Sequence, residues 1–408
     1  MNNQWVRSIP VGMRDYIYKD AQRRRGLEGE LCNIFEGRGF REIITPTLEF
    51  YDVFCGEGAG VLPEDLYKTF DAKGRVLAFR HDMTTPIIRV AATKLSGANA
   101  PVRLYYCQSV LRQNKHLNGK YDEVAQCGAE LLGVCSTRAD IEILVTAMAA
   151  MRSAVGKDFK IEIGHAGYVQ AAARAATPDR EAAQALCRLV EKRAFADLDA
   201  RLLGFDQDNV GVRTLRSLPS LFGGLMTLQR ARDLSPNAEM KKILNEIEAV
   251  CEELLALGYE ENISLDLGMG HQIAYYTGLI FRGYLEESSE SCLNGGRYDA
   301  LSGRFGREMP AVGFAINIDA ILDAQTRSGV EFTETTYPDV VIHYDAGCLR
   351  RAAVLFDEMT QAGKACEMSV FEDLDESLSY ARLAKTKEKL YYVHKRGTDV
   401  YEMEGSGE

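Results

Sequence analysis

The sequence predicts an α+β protein built from more than one folded unit, and three observations lead there. At 408 residues and 46% hydrophobic content, the chain is too long for one compact core and apolar enough for two or three. Short β-rich runs bounded by glycine and proline alternate irregularly with stretches of helical periodicity. An acidic, polar segment from Glu331 to Tyr337, ending at Pro338, reads as a linker before a separate C-terminal unit.

Residues 1–155 mix helices and strands. Gly39-Phe-Arg-Glu-Ile-Ile-Thr-Pro-Thr-Leu-Glu49 reads as a helix ending at glycine, then a β-branched strand stopped by Pro46. Arg103–Cys107 is a further strand, and Ala139–Met151 an apolar helix. From Thr177 to Gly258 the pattern is helical. Thr177-Pro178 and Ser235-Pro236 each set an N-cap residue before a proline at the first helical position. Ile243, Ile247, Val250 and Leu254 share one helix face, and Gly258 suits the C-cap. This is a helical insert over about residues 170–260. Residues 262–327 return to strand-like runs around glycines, finish in a helix near Ile318–Gln325 and complete a core of residues 1–330. A small α/β domain over 338–408 follows: strand Val340–Tyr344, helix Cys348–Gln361, strand Ala365–Phe371, helix Glu376–Lys385 and a terminal hairpin over Leu390–Tyr401.

Composition narrows the function classes. The net charge of −11 disfavours a polyanion partner, because nucleic-acid affinity comes largely from lysine and arginine neutralising phosphates. Residues 335–408 carry fourteen acidic and nine basic side chains, net −5, a poor surface for gripping a nucleic acid. No run approaches the roughly 20 apolar residues that span a bilayer, and no signal peptide opens the chain, so a cytoplasmic location without membrane association is expected. The ten cysteines are scattered singly, without the close pairs of zinc sites or redox dithiols. They read as reduced packing residues, with no metal or cofactor expected.

Four segments carry chemistry. Phe79-Arg-His-Asp-Met-Thr-Thr-Pro86 sets a carboxylate and two hydroxyls between a strand and a helix, where they could hold an ammonium or cap the helix. Residues 101–133 read as two strands joined by a polar loop. On the returning strand, Gln126 and Glu130 share one face, and a buried carboxylate there needs a polar partner: a bound zwitterion, or an ion pair with Arg112. Leu265–Phe281 contains Tyr275-Tyr-Thr-Gly278, and Gly295-Gly-Arg-Tyr-Asp299 leads to Pro310–Ala320.

Together these segments resemble the histidyl-tRNA synthetases over essentially residues 6–327. Gly39–Glu49 resembles class II motif 1, Pro101–Gly133 motif 2 and Pro310–Ala320 motif 3. The resemblance implies a class II aminoacyl-tRNA synthetase-like antiparallel sheet flanked by helices, a homodimeric core and a C-terminal unit like a shortened anticodon-binding domain. It also implies a histidine pocket of Asp82, Thr84, Arg112, Tyr121, Gln126, Glu130, Tyr275 and Tyr276. Asp82 and Thr84 fall where the family binds the amino group, and Glu130 or Gln126 where it meets the imidazole.

The departures bear on ATP. The family's adenine-reading glutamate is Asn114, the arginine acting on the α-phosphate is His271, its aspartate neighbour is Ala274, and the ATP-clamping arginine of motif 3 is Ala320. A preorganised donor facing developing charge supplies about 3–4 kcal/mol, and a mostly neutral imidazole cannot replace a guanidinium fork. The chain is therefore expected to have no catalytic residues and not to be an enzyme. Asp-Met-Thr-Thr-Pro and the insert from Glu162-Ile-Gly-His165 resemble the regulatory paralogues of these synthetases. That likeness implies a hetero-octamer of four regulatory and four short-form ATP phosphoribosyltransferase catalytic subunits, activated by this chain and inhibited through it by histidine. The rivals are an active, divergent histidine-activating enzyme and an amino-acid- or tRNA-sensing module without the biosynthetic partner.

Overall fold

The computed structural model describes residues 6–56, 61–114, 121–269, 276–286, 290–330, 332 and 338–403. Contacts divide the chain into two compact units, Met1–Asp15 with Arg24–Val330, and Tyr16–Arg23 with Glu331–Glu408. No described helix is long and apolar enough to cross a membrane.

A nine-stranded sheet organises the first unit. Its strands lie in the order Arg41–Glu42, Val102–Leu111, Glu123–Leu132, Ala311–Asn317, Ser291–Arg297, Leu279–Leu285, Phe159–His165, Ile263–Asp266 and Phe222–Gly223. Pairing is antiparallel except where Arg41–Glu42 meets Val102–Leu111 and where Phe159–His165 meets Ile263–Asp266. The expected antiparallel sheet is thus mixed. The second parallel pair follows from the helical insert, because parallel neighbours need a long crossover and the helices from Ala166 to Ala256 supply one.

Side-chain alternation gives the long strands two apolar faces. On one face Tyr105, Cys127, Ala129, Leu131, Phe314 and Ile316 pack with Leu27, Leu31 and Phe35 of the helix Tyr18–Gly37 and with the apolar side of Thr137–Val155. On the other, Leu104, Tyr106, Val110 and Leu132 meet Ile87, Ile88 and Ala91 of the helix Thr84–Thr93. The second face holds the candidate site.

Several element boundaries depart from the sequence reading for local reasons. The β-branched run after Gly39 pairs only over Arg41–Glu42. The insert's helix after Thr177-Pro178 starts at Arg180, because the Asp179 carboxylate accepts from the amides of Glu181 and Ala182. Thr177 instead closes the preceding helix Ala166–Ala176. In the same way Asn237, not Ser235, caps Ala238–Ala256 by accepting from the Met240 amide. An aspartate or asparagine nearer the first turn outcompetes the upstream hydroxyl. The expected face of Ile243, Ile247, Val250 and Leu254 is buried, and Gly258 takes φ +77° just beyond the helix end.

In the second unit the strands Cys366–Met368, Val340–Tyr344, Lys389–His394 and Gly397–Glu402 form a sheet in that order. The helix Leu349–Gln361 lies against Val340, Ile342 and Val393, while Leu374–Leu383 packs with Val341 and Leu390.

Phe35 is fully buried between the rings of Tyr105 and Phe314, with centroids 5.9 and 5.8 Å away. Phe35→Ala should cost about 3–5 kcal/mol through lost burial and the cavity left behind. Denaturant unfolding of the variant measures it, and a loss below about 1 kcal/mol would remove this helix from the core.

Candidate functional site

The site is built around one buried carboxyl. Glu130, on the strand Glu123–Leu132, is 1% exposed and sits on the same face as Gln126 and Gly128. Thr84 Oγ1 donates to its Oε1 at 2.9 Å, and the Tyr298 hydroxyl donates to its Oε2. Both partners are neutral hydroxyls. Burial therefore dominates and pushes the Glu130 carboxyl up to about 8, the two hydrogen bonds and the nearby Asp82 being smaller influences. The ion pair with Arg112 left open by the sequence does not form: the Arg112 Nε donates to the His81 carbonyl at 2.9 Å.

Glycines make room for this face. Gly313 lies opposite Glu130 on the neighbouring strand, and a Cβ there would come within 1.6 Å of Glu130 Oε2. Gly296, one strand further on, would place a Cβ 2.9 Å from the Tyr276 ring. Side chains at these positions would displace Glu130 or Tyr276 from the sheet.

Thr84 opens the helix Thr84–Thr93. Asp82 caps that turn, its Oδ1 accepting from the Thr85 amide at 2.6 Å and its Oδ2 from the Thr85 hydroxyl at 3.1 Å. The capping alternative thus holds for Asp82 even as its charge is felt at Glu130 and Tyr276. The Tyr276 phenol is raised by burial first and by Glu130 second, while Arg282 and Arg112 draw it down. Glu130, Arg282, Asp82 and Arg112 thus all lie within electrostatic reach of Tyr276. His81 beside them is held at about 4 by burial and by Arg112, so its imidazole is neutral at physiological pH.

Gln126 is buried on the site face, level with Gln108 and Asn317 on the flanking strands, and its side chain makes no hydrogen bond among the described residues. Tyr121 is 37% exposed, with the Arg14 guanidinium 4.2 Å from its ring centroid, so its contact is with an N-terminal residue and not with Glu130. Arg14 also pairs with Asp319 at 2.6 Å. At Asn114, the position matching the adenine reader, the backbone N–H donates to Asp122 Oδ1 at 3.1 Å. Ala320 packs on the apolar face of the sheet. Tyr275, His271 and Ala274 lie outside the described residues. His165 caps the helix Ala166–Ala176, its Nδ1 accepting from the Gly167 amide at 3.0 Å.

Two site residues escaped the sequence reading. Tyr298 follows the strand Ser291–Arg297, and only the fold reveals that its hydroxyl reaches Glu130. Arg282 alternates with Phe281 on the strand Leu279–Leu285, opposite Glu162 and Asn294, and an arginine inside an otherwise apolar strand was the available signal.

The family model for histidyl-tRNA synthetase matches residues 12–321. The chain is 36% identical to the ATP phosphoribosyltransferase regulatory subunit of Clostridium botulinum (strain Langeland) over 380 residues, 93% of this chain and 90% of that one. It is 36% identical to the protein of that name from Clostridium kluyveri over 387 residues, 94% and 98% of the two chains. A Bacillus halodurans structure described as an ATP phosphoribosyltransferase regulatory subunit/histidyl-tRNA synthetase matches with TM-score 0.83 at 28% identity, covering 95% of this chain and 98% of the other. The histidyl-tRNA synthetase of Nostoc sp. matches with TM-score 0.77 at 18% identity over 97% of each chain, a likeness of fold. The architecture is that of the histidyl-tRNA synthetases. Within it, the chain belongs to the family of ATP phosphoribosyltransferase regulatory subunits.

The raised Glu130 has a definite consequence for stability. The native state holds this proton to about pH 8, the unfolded chain only to the ordinary value near 4.5. The contribution is therefore complete below pH 4.5 and lost as pH rises to 8. Glu130→Gln, which mimics the protonated form, should remove that decline. Denaturant midpoints for the two proteins should converge near pH 5 and separate by pH 8 in favour of the variant. Parallel profiles would show that Glu130 titrates normally.

Proposed function

We propose that this chain is a non-catalytic regulatory subunit that activates the short-form ATP phosphoribosyltransferase catalytic subunit, the first step of histidine biosynthesis, and transmits feedback inhibition by histidine. The observation that carries the reading is the Glu130 carboxyl, buried against Thr84 and Tyr298 with no cation paired to it among the described residues. It supports the reading because Glu130 is among the residues that the synthetase resemblance implies for histidine. The positions matching the ATP-binding arginines hold His271 and Ala320, so the amino-acid half of the site is retained and the triphosphate half is not.

In this reading the histidine ammonium meets Asp82 and Thr84, and Glu130 receives the imidazole, with Gln126, Tyr276, Tyr275, Arg112 and Tyr121 completing the pocket. A carboxyl pushed up to about 8 is largely protonated at pH 7 and ionises when a cationic group settles against it. A histidine imidazole, mostly neutral at pH 7, can take that proton and leave an imidazolium–carboxylate pair, so binding should exchange little proton with solvent and the calorimetric binding heat should hardly change with buffer ionisation enthalpy. Glu130→Ala should weaken histidine by about 1.5–3 kcal/mol, the worth of a charged hydrogen bond; unchanged affinity would dismiss the pocket. Inhibition through a subunit boundary is a coupling free energy, so catalytic-subunit substrates must alter histidine affinity by the same factor that histidine alters theirs.

The assembly that goes with this function is a homodimer through the synthetase-like core, joined to catalytic subunits as a hetero-octamer in the cytoplasm. The decisive assay compares the short catalytic chain alone and with this protein across a histidine titration. Activation by the added chain, reversed by histidine, is the expected result. Robust histidine-dependent exchange of pyrophosphate into ATP by the purified chain would establish the rival, an active synthetase.

A further inference from the structure

Three cysteines far apart in sequence meet behind the site. Cys32 comes from the helix Tyr18–Gly37, Cys107 from the strand Val102–Leu111 and Cys127 from the strand Glu123–Leu132. Cys107 and Cys127 are directly opposite partners in the antiparallel ladder. The three sulfurs all lie within 4.8 Å of one another, the one such group of potential metal ligands among the described residues. We propose that Cys32, Cys107 and Cys127 form a trithiolate site for a thiophilic divalent cation of the zinc class.

The donor set fits that chemistry. Three sulfurs around one ion at Zn–S bonds of about 2.3 Å stand roughly 3.8–4.0 Å apart, so the cluster needs to contract by about 1 Å at most. Rotation about the three Cα–Cβ bonds supplies this, since each thiol sits on a different element. Thiolate is the ligand type that selects zinc and its relatives over hard cations. Cys127 is buried while Cys32 and Cys107 are partly exposed, which gives an ion a route in and leaves a fourth position open to a solvent-borne ligand.

Capture of a divalent ion by all three thiols releases three protons and leaves the centre with a charge of −1, with no change of oxidation state. Glu28, one helical turn before Cys32, does not add a free carboxylate, since Arg24 and Arg25 pair with it at 2.8 and 2.6 Å.

The site would tie the helix Tyr18–Gly37 to the strand that bears Gln126 and Glu130 on its other face, and so stiffen the back of the pocket. It stands apart from the histidine reading, because it requires neither ligand nor catalytic partner.

The test uses the full chain, reduced and freed of metal by chelation, titrated with cobalt(II) and then zinc(II). The expected result is one equivalent of cobalt giving near-ultraviolet sulfur-to-metal charge-transfer absorption, bleached by one equivalent of zinc, and a melting temperature raised by zinc. Cys32→Ser, on a partly exposed helix position, should keep the native circular dichroism and lose both the band and the zinc-dependent rise; Cys107→Ser is the second variant. Absence of the band in the unaltered protein, or its persistence in Cys32→Ser, would overturn the site. So would mass-spectrometric detection of a Cys107–Cys127 disulfide in protein that takes up no metal under reducing conditions.

Discussion

A carboxyl buried with two hydroxyls, and with no cation paired to it among the described residues, constrains much of this molecule. Glu130 can lie where it does only if Thr84 starts its helix beside it, Tyr298 ends its strand within reach, and position 313 carries no side chain. Three separate stretches of sequence are thereby bound to one atom group. An unpartnered carboxylate at that depth would be costly, so the protein meets the cost by keeping the proton to about pH 8. A site poised in this way favours a cationic ligand group over an anionic one.

The long strands serve two masters through their alternation. Cys127, Ala129 and Leu131 belong to the core shared with the helix Tyr18–Gly37, whereas Gln126, Gly128 and Glu130 face the site. A change on either side of this strand is felt by the other through a rigid, hydrogen-bonded backbone. The N-terminal segment adds a clasp: the Gly12 carbonyl accepts from the Asp122 amide at 2.7 Å, and Arg14 spans Tyr121 and Asp319. Arg14 thus brings a guanidinium to the first turn of the motif 3 helix, where Asp319, itself 5% exposed, receives it and also accepts from the Ala125 amide. That charge is spent on an internal pair.

Much of the fold could be read from residue patterns. The apolar periodicity of Ile243, Ile247, Val250 and Leu254 identified a buried helix face because a helix repeats every 3.6 residues whatever surrounds it. The polar pair Gln126 and Glu130 could be read as sharing one strand face for a similar reason, since side chains on a strand alternate with period two. Helix starts were less legible: Thr177 and Ser235 are good caps in isolation, but Asp179 and Asn237 stand closer to the first free amides. The short reach of the strand after Gly39 and the parallel pairs at two places in the sheet depend on partners distant in sequence.

The sequence by itself determined the class of the protein and which residues could carry polar chemistry, since motif spacing, composition and periodicity are properties of the chain alone. Tertiary structure decided how those groups are satisfied. It put Tyr298 rather than Arg112 on Glu130, made Asp82 a helix cap, turned Tyr121 toward Arg14, and gathered Cys32, Cys107 and Cys127 at one point. The reason is physical: a hydrogen bond or a sulfur cluster depends on separations of a few ångströms between residues tens to hundreds of positions apart, and only the packed chain sets those separations.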